Sequence, residues 1–376
     1  MWKGKAEFVS SDAEVIGTLE INGNGGFLRA SARNYAAQPA DPTVDRGLIE
    51  RYRLRGGETV AAIVRPGRKG SRQVTEIRLI NDLDPGAYGE LTPFEDLVVV
   101  DPHERIRFET PGGPTSMRVV DLMTPIGKGK RGLIAAPPRT GKTILLQQMA
   151  AGIAANHPDV YMMVLLIDER PEEVTDMRRR VHGEVVASSN DRDIASHVRI
   201  ARLMIEKAKR LLECGKDVLI LLDSLTRLGR AFNAFVGTSG RTMTGGLDIR
   251  AMAEPKAMFG AARKIENGGS LTILATALID TGSRMDELIF NEFKGTGNME
   301  IMLTRELANK RIWPAIDLHQ SGTRKEELLL PPDALKQSVR IRRKLNGMAI
   351  DREMLMLTEA LEKFPSNEKF LAAQAD

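Results

Sequence analysis

A short apolar run, a loop with two prolines and an amphipathic helix pattern follow one another between Arg131 and Ala150 (RGLIAAPPRTGKTILLQQMA). A strand, a tight loop and a helix N-terminus with Gly141-Lys142-Thr143 at the junction form the pattern of a phosphate-binding loop. Backbone N–H groups of such a loop point at a polyphosphate, and the helix dipole favours its negative charge. One position departs from the usual G-x-x-x-x-G-K-[ST] pattern, since position 136 is alanine. The stretch predicts a nucleotide-binding site, and the alternative is a chance Gly-Lys-Thr on a core helix.

Seven consecutive residues of this stretch are predicted to contact the nucleotide and its metal ion. Lys142 supplies a mobile cation for the β- and γ-phosphates, and the Thr143 hydroxyl can ligate Mg²⁺. Two prolines stiffen the loop where glycine would usually bend it. The predicted contacts are Pro138, Arg139, Thr140, Gly141, Lys142, Thr143 and Ile144.

Four apolar runs beyond the loop predict the other strands of one sheet. A long helical pattern at Ile194–Cys214 separates the first two of them. Continuous apolar strands separated by helices are typical of a parallel sheet buried on both faces, with ligands at the edge where the strands end. Residues 116–376 are therefore predicted to form an α/β phosphate-loop domain with a helical C-terminal part. The runs are Tyr161–Asp168, Val218–Leu222, Ser270–Leu278 and Met299–Leu303.

Carboxylates follow the first two of these runs. Asp223 closes LILLD, where a Walker-B aspartate would hold the Mg²⁺ coordination sphere. The alternative role for Asp223 is to cap the next helix. Glu169 follows LLID, where a carboxylate can polarise the water that attacks the γ-phosphate, and its alternative is a surface salt bridge with Arg170 or Arg178. We predict a metal-binding Asp223 and a catalytic Glu169.

Residues 1–83 predict a small all-β domain. Four short strand patterns separated by glycine-rich turns suit a closed barrel such as the OB-fold. The window from Arg46 to Arg78 holds nine Lys and Arg against three Glu, a balance of +6 in a chain whose net charge is +4. Such barrels bind single-stranded nucleic acid through a basic groove and stacking aromatics, and the alternative is a solvated basic face without a ligand. The strand patterns are Val15–Ile21, Phe27–Arg29, Glu58–Val64 and Val74–Ile80.

Three further features concern the linker and the cellular setting. Residues 84–115 are rich in Pro, Gly and acidic side chains, which predicts a connector with one strand at Leu97–Val100. The one cysteine, Cys214, excludes an internal disulfide framework and suits a reducing compartment. No apolar run reaches the ~18 residues of a membrane span, and no signal core is present. We expect a cytoplasmic protein without a membrane partner.

Two glycine-rich loops lie further along the chain. The first runs from Thr238 to Gly246 and the second from Lys294 to Asn298. Each combines a cation with hydroxyl groups and flexible backbone, which suits contact with a phosphodiester chain. By pattern alone, each fits an ordinary surface loop equally well.

Long motifs in the chain closely resemble the transcription termination factor Rho family of hexameric, RecA-like RNA helicases. The match is dense from about residue 114 to residue 350 and continues more weakly into the barrel through GGFLRA. The resemblance implies a RecA-like ATPase domain preceded by an OB-fold, cold-shock-like barrel. The motifs are LIAAPPRTGKT, LLIDERPEEVTDM, GEVVAS, LLDSLTRLGRA, FGAARKIENGGSLTILATALIDTGSRMDE, EFKGTGNME and PAIDLHQSGTRKEELL.

The resemblance implies an ATP-driven homohexameric ring that loads on single-stranded RNA, translocates 5′ to 3′ and terminates transcription. RNA polymerase and a Nus-type elongation factor are the partners to expect. The resemblance places Arg139 beside the phosphates and Arg227 near the γ-phosphate. It identifies Arg324, in SGTRKEELL, with the arginine finger that reaches the neighbouring subunit's ATP. Trp313 falls where the family stacks an aromatic ring on adenine, and its alternative is a core tryptophan.

The same resemblance implies which residues contact RNA. The two glycine-rich loops match the pore loops of the family, with Lys294 contacting RNA, and Phe27 matches a stacking residue of the barrel. The predicted RNA contacts are Phe27, Arg29, Arg241, Thr242, Gly245, Lys294, Gly295, Thr296 and Gly297.

The chain also departs from the family pattern in the region that loads RNA. It begins almost at the barrel, without the small helical subdomain that usually comes first. Gly25, Thr43 and Gln73 stand where the family places aromatic rings, while Phe27 remains. Since base stacking contributes about 1–3 kcal/mol per base, we expect weaker RNA binding by the barrel. Pyrimidine preference should be reduced and the salt dependence increased.

Two other functions are compatible with parts of the sequence. A RecA-type ring ATPase of the ATP-synthase or secretion class also begins with a small β domain, but it needs no RNA for ATP hydrolysis. A non-catalytic regulator that binds ATP and RNA would not require a complete set of hydrolytic residues. That set is Lys142, Glu169, Asp223 and Arg324. We therefore predict an RNA-dependent ATP hydrolase.

Overall fold

The computed structural model describes residues 13–67, 71–237 and 246–374. These residues form two compact units. The first comprises the chain up to Asp96 together with Leu203–Cys214, and the second comprises Leu97–Arg202 and Gly215–Asp376. Within the described residues, no helix is both long and apolar enough to cross a bilayer.

A closed five-stranded barrel makes up most of the first unit. Its strands are β1 (Ala13–Asn22), β2 (Gly25–Arg29), β3 (Thr43–Asp45), β4 (Thr59–Pro66) and β5 (Arg72–Ile80), joined in the order β1-β2-β3-β5-β4. Helices α1 (Arg46–Arg51) and α2 (Pro85–Gly89) accompany them.

The barrel follows from local sequence features. Asn22 pairs with Gly25 across β1 and β2, which leaves a two-residue turn in which Gly23 has a φ of +59°. Glycine adopts this left-handed backbone without the steric cost of a Cβ. In β4 the side chains of Val60, Ala62 and Val64 are buried in the barrel core. The predicted all-β barrel is confirmed.

The second unit is built on one large sheet with helices between its strands. Its first elements are β6 (Val99–Val100), β7 (Arg105–Ile106), α3 (Thr115–Met123), β8 (Ile126–Gly127), β9 (Arg131–Ala136), α4 (Lys142–Asn156), β10 (Tyr161–Ile167), α5 (Pro171–Arg180), β11 (Glu184–Ser188), α6 (Ile194–Glu213), β12 (Asp217–Asp223) and α7 (Leu225–Val236). The later elements are α8 (Ala253–Gly260), β13 (Arg263–Ile265), β14 (Ser270–Leu278), α9 (Arg284–Lys294), β15 (Met299–Leu303), α10 (Arg305–Asn309), β16 (Ile316–Thr323), α11 (Pro332–Leu345), α12 (Ile350–Glu362) and α13 (Asn367–Ala372). The last part of α6, from Leu203, belongs to the first unit.

The strands of the large sheet lie in the order β11-β10-β12-β14-β9-β15-β16. All neighbours on this path are parallel except β15 and β16, which are antiparallel. Strands β9, β10, β12 and β14 are buried along nearly their whole length, as expected for a sheet that is covered on both faces. The predicted parallel α/β domain is confirmed, and the phosphate loop follows β9.

The segment at residues 84–115 contains more structure than the single strand predicted for it. The strand expected at Leu97–Val100 is only two residues long, and a second strand, β7, follows it. Phe94 and Phe108 are buried, each within its own unit. The one-strand prediction was wrong because these apolar residues stand singly between polar ones and produce no periodic signal.

Candidate active site

The phosphate loop connects the end of β9 to the first turn of α4. Arg139 and Gly141 have positive φ angles of +68° and +84°. The Thr140 hydroxyl donates a hydrogen bond to the Pro137 carbonyl at 2.7 Å, which fixes the turn from inside. A Cβ at position 141 would lie 2.8 Å from the Trp313 ring. Glycine is therefore required there, both because it adopts a positive φ without strain and because a side chain would clash with Trp313.

Three predicted site residues meet at the edge of the sheet where β9, β10 and β12 end. Lys142 Nζ lies 2.5 Å from Asp223 Oδ1 and 3.2 Å from Glu169 Oε1. The carboxyl ends of parallel strands share one edge, which is how residues far apart in sequence come together here. The structure therefore brings together the cation of the phosphate loop and both predicted carboxylates.

Glu169 is almost completely buried, with a side chain that is 2% exposed. Arg227 Nη2 lies 3.4 Å from Glu169 Oε2. Burial raises the pKa of Glu169, the negative charge of Asp223 raises it further, and the Lys142 and Arg227 cations oppose both effects. A carboxylate with a raised pKa is a better proton acceptor near neutral pH. The surface salt bridge considered for this residue is not what the structure contains.

Lys142 and Asp223 form the charged centre of the cluster. Burial lowers the pKa of Lys142, but the two neighbouring carboxylates outweigh it and the net pKa is raised, so the ammonium remains charged. Asp223 Oδ1 also accepts a hydrogen bond from Thr276 Oγ1 at 2.7 Å. Helix α7 is capped by the side chain of Ser224, not by Asp223, so capping does not account for this aspartate.

The donor set near Lys142 fits a magnesium ion that is shared with a nucleotide. Within the described residues, no group of three or more His, Cys, Asp or Glu is arranged to hold a metal ion by itself. Mg²⁺ in nucleotide sites is typically held by one or two protein oxygens, phosphate oxygens and water. The hydroxyl of Thr143, at the second residue of α4, and the carboxylate of Asp223 are ligands of that kind.

A cavity of about 230 Å³ adjoins the phosphate loop. Ile144 and Trp313 are its most exposed side chains, at 59% and 46% exposure, so Trp313 is not a core residue. Among the residues that the structure describes, no charged side chain lines the cavity, which suits the uncharged ring of a base. Its lining comprises Ser116, Thr140, Gly141, Ile144, Leu145, Gln148, Leu303, Trp313, Pro314 and Ala315.

A second cavity, of about 410 Å³, also adjoins the loop and is lined by Pro138, Arg139, Arg305 and Asn309. Arg305 begins α10, one residue after the end of β15, and one guanidinium nitrogen donates to the Asp280 carbonyl at 3.3 Å. Arg305 was not among the site residues predicted from the sequence. Its position just beyond an apolar strand is the signal that could have found it, as it found Glu169 and Asp223.

Arg324 lies at the end of the sheet opposite the phosphate loop, where β16 ends and β9 begins. Thr323 pairs with Met299 in β15, and Met299 pairs with Gly132 at the start of β9. The phosphate loop begins after the end of β9, about 13 Å further along the strand at 3.3 Å per residue. Arg324 is exposed, and the structure does not bring it to the Lys142 of its own chain.

The second glycine-rich loop lies within the described residues, whereas the first does so only at Gly246. Arg241, Thr242 and Gly245 lie outside the described residues. Gly246 follows them, and it lies against the side chain of Met285 at the start of α9. Lys294 ends the same helix, about 14 Å from Met285 at 1.5 Å per residue. Gly295, Thr296 and Gly297 then lead into β15, and the Thr296 carbonyl accepts a hydrogen bond from Arg131 Nε at 2.9 Å.

The barrel presents Phe27 beside Thr43 and Gln73, two of the three positions where aromatic rings were expected from the family resemblance. Phe27 pairs with Thr43 across β2 and β3, and Thr43 pairs with Gln73 across β3 and β5. Arg29, predicted to contact RNA, is instead 6% exposed. Its guanidinium pairs with Glu20 at 2.5 Å and Asp41 at 2.7 Å, and lies 4.6 Å from the Phe27 ring centre. The charge of Arg29 is already paired with these two carboxylates, so this residue is not a free cation for RNA. Its guanidinium instead packs against the Phe27 ring.

Comparison with known proteins identifies both parts of the chain. Residues 15–86 match the RNA-binding domain of Rho termination factor, and residues 116–323 match the nucleotide-binding domain of the ATP synthase alpha/beta family. Transcription termination factor Rho of Cereibacter sphaeroides is 51% identical over 361 residues, covering 94% of this chain and 85% of the relative. Rho of Escherichia coli K12 is 50% identical over 360 residues, covering 94% and 86%.

A solved structure shows the same fold. It is that of an ATPase from the type III secretion system of pathogenic bacteria, with a TM-score of 0.61 and 22% identity over 76% of this chain and 87% of that chain. At this identity the likeness concerns the fold alone.

Proposed function

The chain belongs to the transcription termination factor Rho family, whose members are RNA-dependent ATPases, and we propose that it acts as a homohexameric ring that pulls on nascent RNA from 5′ to 3′. The observation that supports the proposal most is the meeting of Lys142, Glu169 and Asp223 at one edge of the sheet. That edge carries both the cation for a polyphosphate and a buried carboxylate for the attacking water. A protein that only binds ATP would not require the second of these.

Each residue of the cluster has a distinct part in ATP hydrolysis. Lys142 binds the β- and γ-phosphates, and Arg139 and Arg227 add positive charge on either side. Glu169 orients the attacking water and accepts its proton, which its raised pKa favours. When bound by Thr143 and Asp223, Mg²⁺ supplies charge neutralisation on the phosphate oxygens. Trp313 stacks on the base in the adjoining cavity.

Arg324 acts on the nucleotide of the neighbouring subunit. The strand register places it at the sheet edge away from its own phosphate loop. An arginine that cannot reach its own nucleotide can reach that of the next subunit when a ring brings opposite edges together. Such an arginine finger stabilises the charge that develops during phosphoryl transfer. The site is then complete only between two subunits.

RNA is bound in two places in this proposal. The barrel, as residues 1–83, captures single-stranded RNA through Phe27 and its basic surface, and residues 84–115 connect it to the ATPase domain at 116–376. The glycine-rich loops contact RNA during translocation. They contribute Arg241, Thr242, Gly245, Lys294, Gly295, Thr296 and Gly297. RNA polymerase and a Nus-type elongation factor are the proposed partners, in the cytoplasm.

The proposal is tested by measuring ATP hydrolysis with and without single-stranded RNA, using cytosine-rich and adenine-rich polymers. We expect strong stimulation by RNA. Glu169→Gln should lower turnover by about 10²–10⁴-fold while ATP still binds. Glu172→Gln, an exposed change in the first turn of α5, is the matched control and should leave turnover unchanged.

Two other outcomes would contradict the proposal. Hydrolysis that is independent of RNA would favour a ring ATPase acting on another polymer or rotor. ATP binding without any hydrolysis would favour a regulatory binding protein.

A further inference from the structure

One buried lysine, Lys130, has no part in the proposed hydrolysis of ATP. It directly precedes β9, and its side chain is only 2% exposed. Its Nζ donates a hydrogen bond to the backbone carbonyl of Arg324 at 2.6 Å. In the part of the chain that the structure describes, no carboxylate forms an ion pair with this ammonium. A single bond therefore joins the start of β9 to the proposed arginine finger.

The position of Lys130 is unfavourable for a lysine. An ammonium that leaves water loses its hydration, and one hydrogen bond to a neutral carbonyl restores little of it. Burial accordingly lowers the pKa of Lys130, although the charges of Asp101 and Glu327 oppose the effect. An apolar side chain of similar length would fill the same space without this cost. What the lysine adds is the bond to Arg324.

The backbone of Arg324 is held on both sides, while its side chain is free. The Lys130 ammonium engages its carbonyl, and its own N–H donates to the Asn298 carbonyl at 3.0 Å. The hydroxyl of the preceding residue, Thr323, donates to the Pro125 carbonyl at 2.8 Å. Within the described residues, the exposed guanidinium of Arg324 forms no hydrogen bond or ion pair. A fixed backbone with a free guanidinium suits a group that acts on another subunit.

We propose that Lys130 is a positioning residue for Arg324, whose backbone it fixes so that the guanidinium reaches the nucleotide of the neighbouring subunit. Lys130 itself touches neither the nucleotide nor the metal ion. The inference rests on the proposed function, because it takes Arg324 to be the arginine finger. A catalytic group that is misplaced by about 1 Å can lower the rate by about 10²-fold, so one bond to its backbone is enough to affect turnover.

The chain offers a matched control two residues before Lys130. Lys128 is also largely buried, but its Nζ pairs with Glu104 at 3.0 Å and Asp217 at 2.6 Å. Neither carboxylate belongs to the candidate site. The same substitution, lysine to methionine, therefore removes a buried ammonium in both cases and a contact with Arg324 in only one.

The first measurement compares ATP affinity with RNA-stimulated turnover in the full chain. Lys130→Met should lower kcat by about 10–100-fold and leave ATP affinity unchanged, because the phosphate loop and the cavity beside it are untouched. Lys128→Met should leave both kcat and ATP affinity unchanged. Lys130→Leu repeats each measurement, so that the result does not depend on how one variant folds.

Mixed rings then locate the defect. In a ring, each interface takes its phosphate loop from one subunit and its finger from the next. In an equal mixture of Lys130→Met with Lys142→Ala, about a quarter of the interfaces combine an intact loop with a correctly held finger, so hydrolysis should recover to about a quarter of the wild-type value. In a mixture with Arg324→Ala, no interface has a correctly held finger, and hydrolysis should stay below that of Lys130→Met alone.

The outcomes separate this inference from the proposed function. An unchanged kcat in Lys130→Met, a loss of ATP affinity that matches the loss of kcat, or no recovery with Lys142→Ala would each overturn the inference. The mixture of Lys142→Ala with Arg324→Ala tests the shared site without any change at Lys130. Failure of that mixture to recover would contradict the proposed function itself, and the inference with it.

Discussion

Mixed rings would show whether the active site is shared between subunits. Lys142→Ala removes the cation of the phosphate loop, and Arg324→Ala removes the proposed finger. The strand register separates the start of β9, beside Arg324, from the phosphate loop by about 13 Å of strand. Two residues at opposite edges of one sheet cannot serve the same nucleotide within one chain. Rings made from both variants should therefore regain activity that neither variant has alone.

The size of the recovery follows from the arrangement of a ring. Each variant alone should hydrolyse ATP at least about 10³-fold more slowly than the wild type, the lower end of the range for arginine fingers. In a ring, each interface takes its phosphate loop from one subunit and its finger from the next. In an equal mixture of the two variants, about a quarter of the interfaces combine an intact loop with an intact finger. Hydrolysis should therefore recover to about a quarter of the wild-type value.

Single-turnover hydrolysis of bound ATP, started by adding RNA, measures the intact interfaces directly. The control mixes each single variant with the double variant Lys142→Ala, Arg324→Ala, which creates no intact interface. If the mixture of single variants is no more active than these controls, Arg324 does not act on a neighbouring nucleotide. The placement of the active site between two subunits would then be contradicted.

Three further predictions concern stability and RNA binding. Burial raises the pKa of Asp121 to about 6, so the folded state holds this proton more tightly than the unfolded state does. The free energy of unfolding should therefore fall by about 3 kcal/mol as the pH rises from about 4 to 6. Asp121→Asn should lose this pH dependence when unfolding is measured with denaturant. Gly152→Ala would place a Cβ 2.5 Å from the Phe108 carbonyl oxygen, so it should destabilise the fold by about 1–3 kcal/mol in the same assay. Gly295→Ala is the control, because its Cβ would meet nothing within 4 Å. Phe27→Ala should weaken RNA binding by about 1–3 kcal/mol and leave its salt dependence unchanged in anisotropy titrations, since no charge is removed.

Local sequence patterns predicted the two parts of the fold and the residues at the centre of the candidate site. The Gly-Lys-Thr junction between an apolar run and a helix predicts a phosphate loop because the loop is formed by consecutive residues. Glu169 and Asp223 were predicted from their positions just after apolar runs, since strands of a parallel sheet end at a common edge. The barrel followed from glycine-rich turns between short strands. The long motifs predicted the family of the chain, and the comparisons with known proteins confirmed it.

Only the tertiary structure decided which residues far apart in sequence become neighbours. The sequence of one strand does not specify which strands lie beside it. The position of Arg324, at the end of the sheet opposite the phosphate loop, therefore follows only from the register of β16, β15 and β9. Arg29 resembled a free cation in the sequence, but two distant carboxylates pair with it and bury it. Lys130 gave no sequence signal, because its hydrogen bond to the Arg324 carbonyl exists only where the start of β9 meets the end of β16. Burial and pairing across the fold set the charge and hydrogen-bonding capacity of a side chain, and a linear pattern does not contain them.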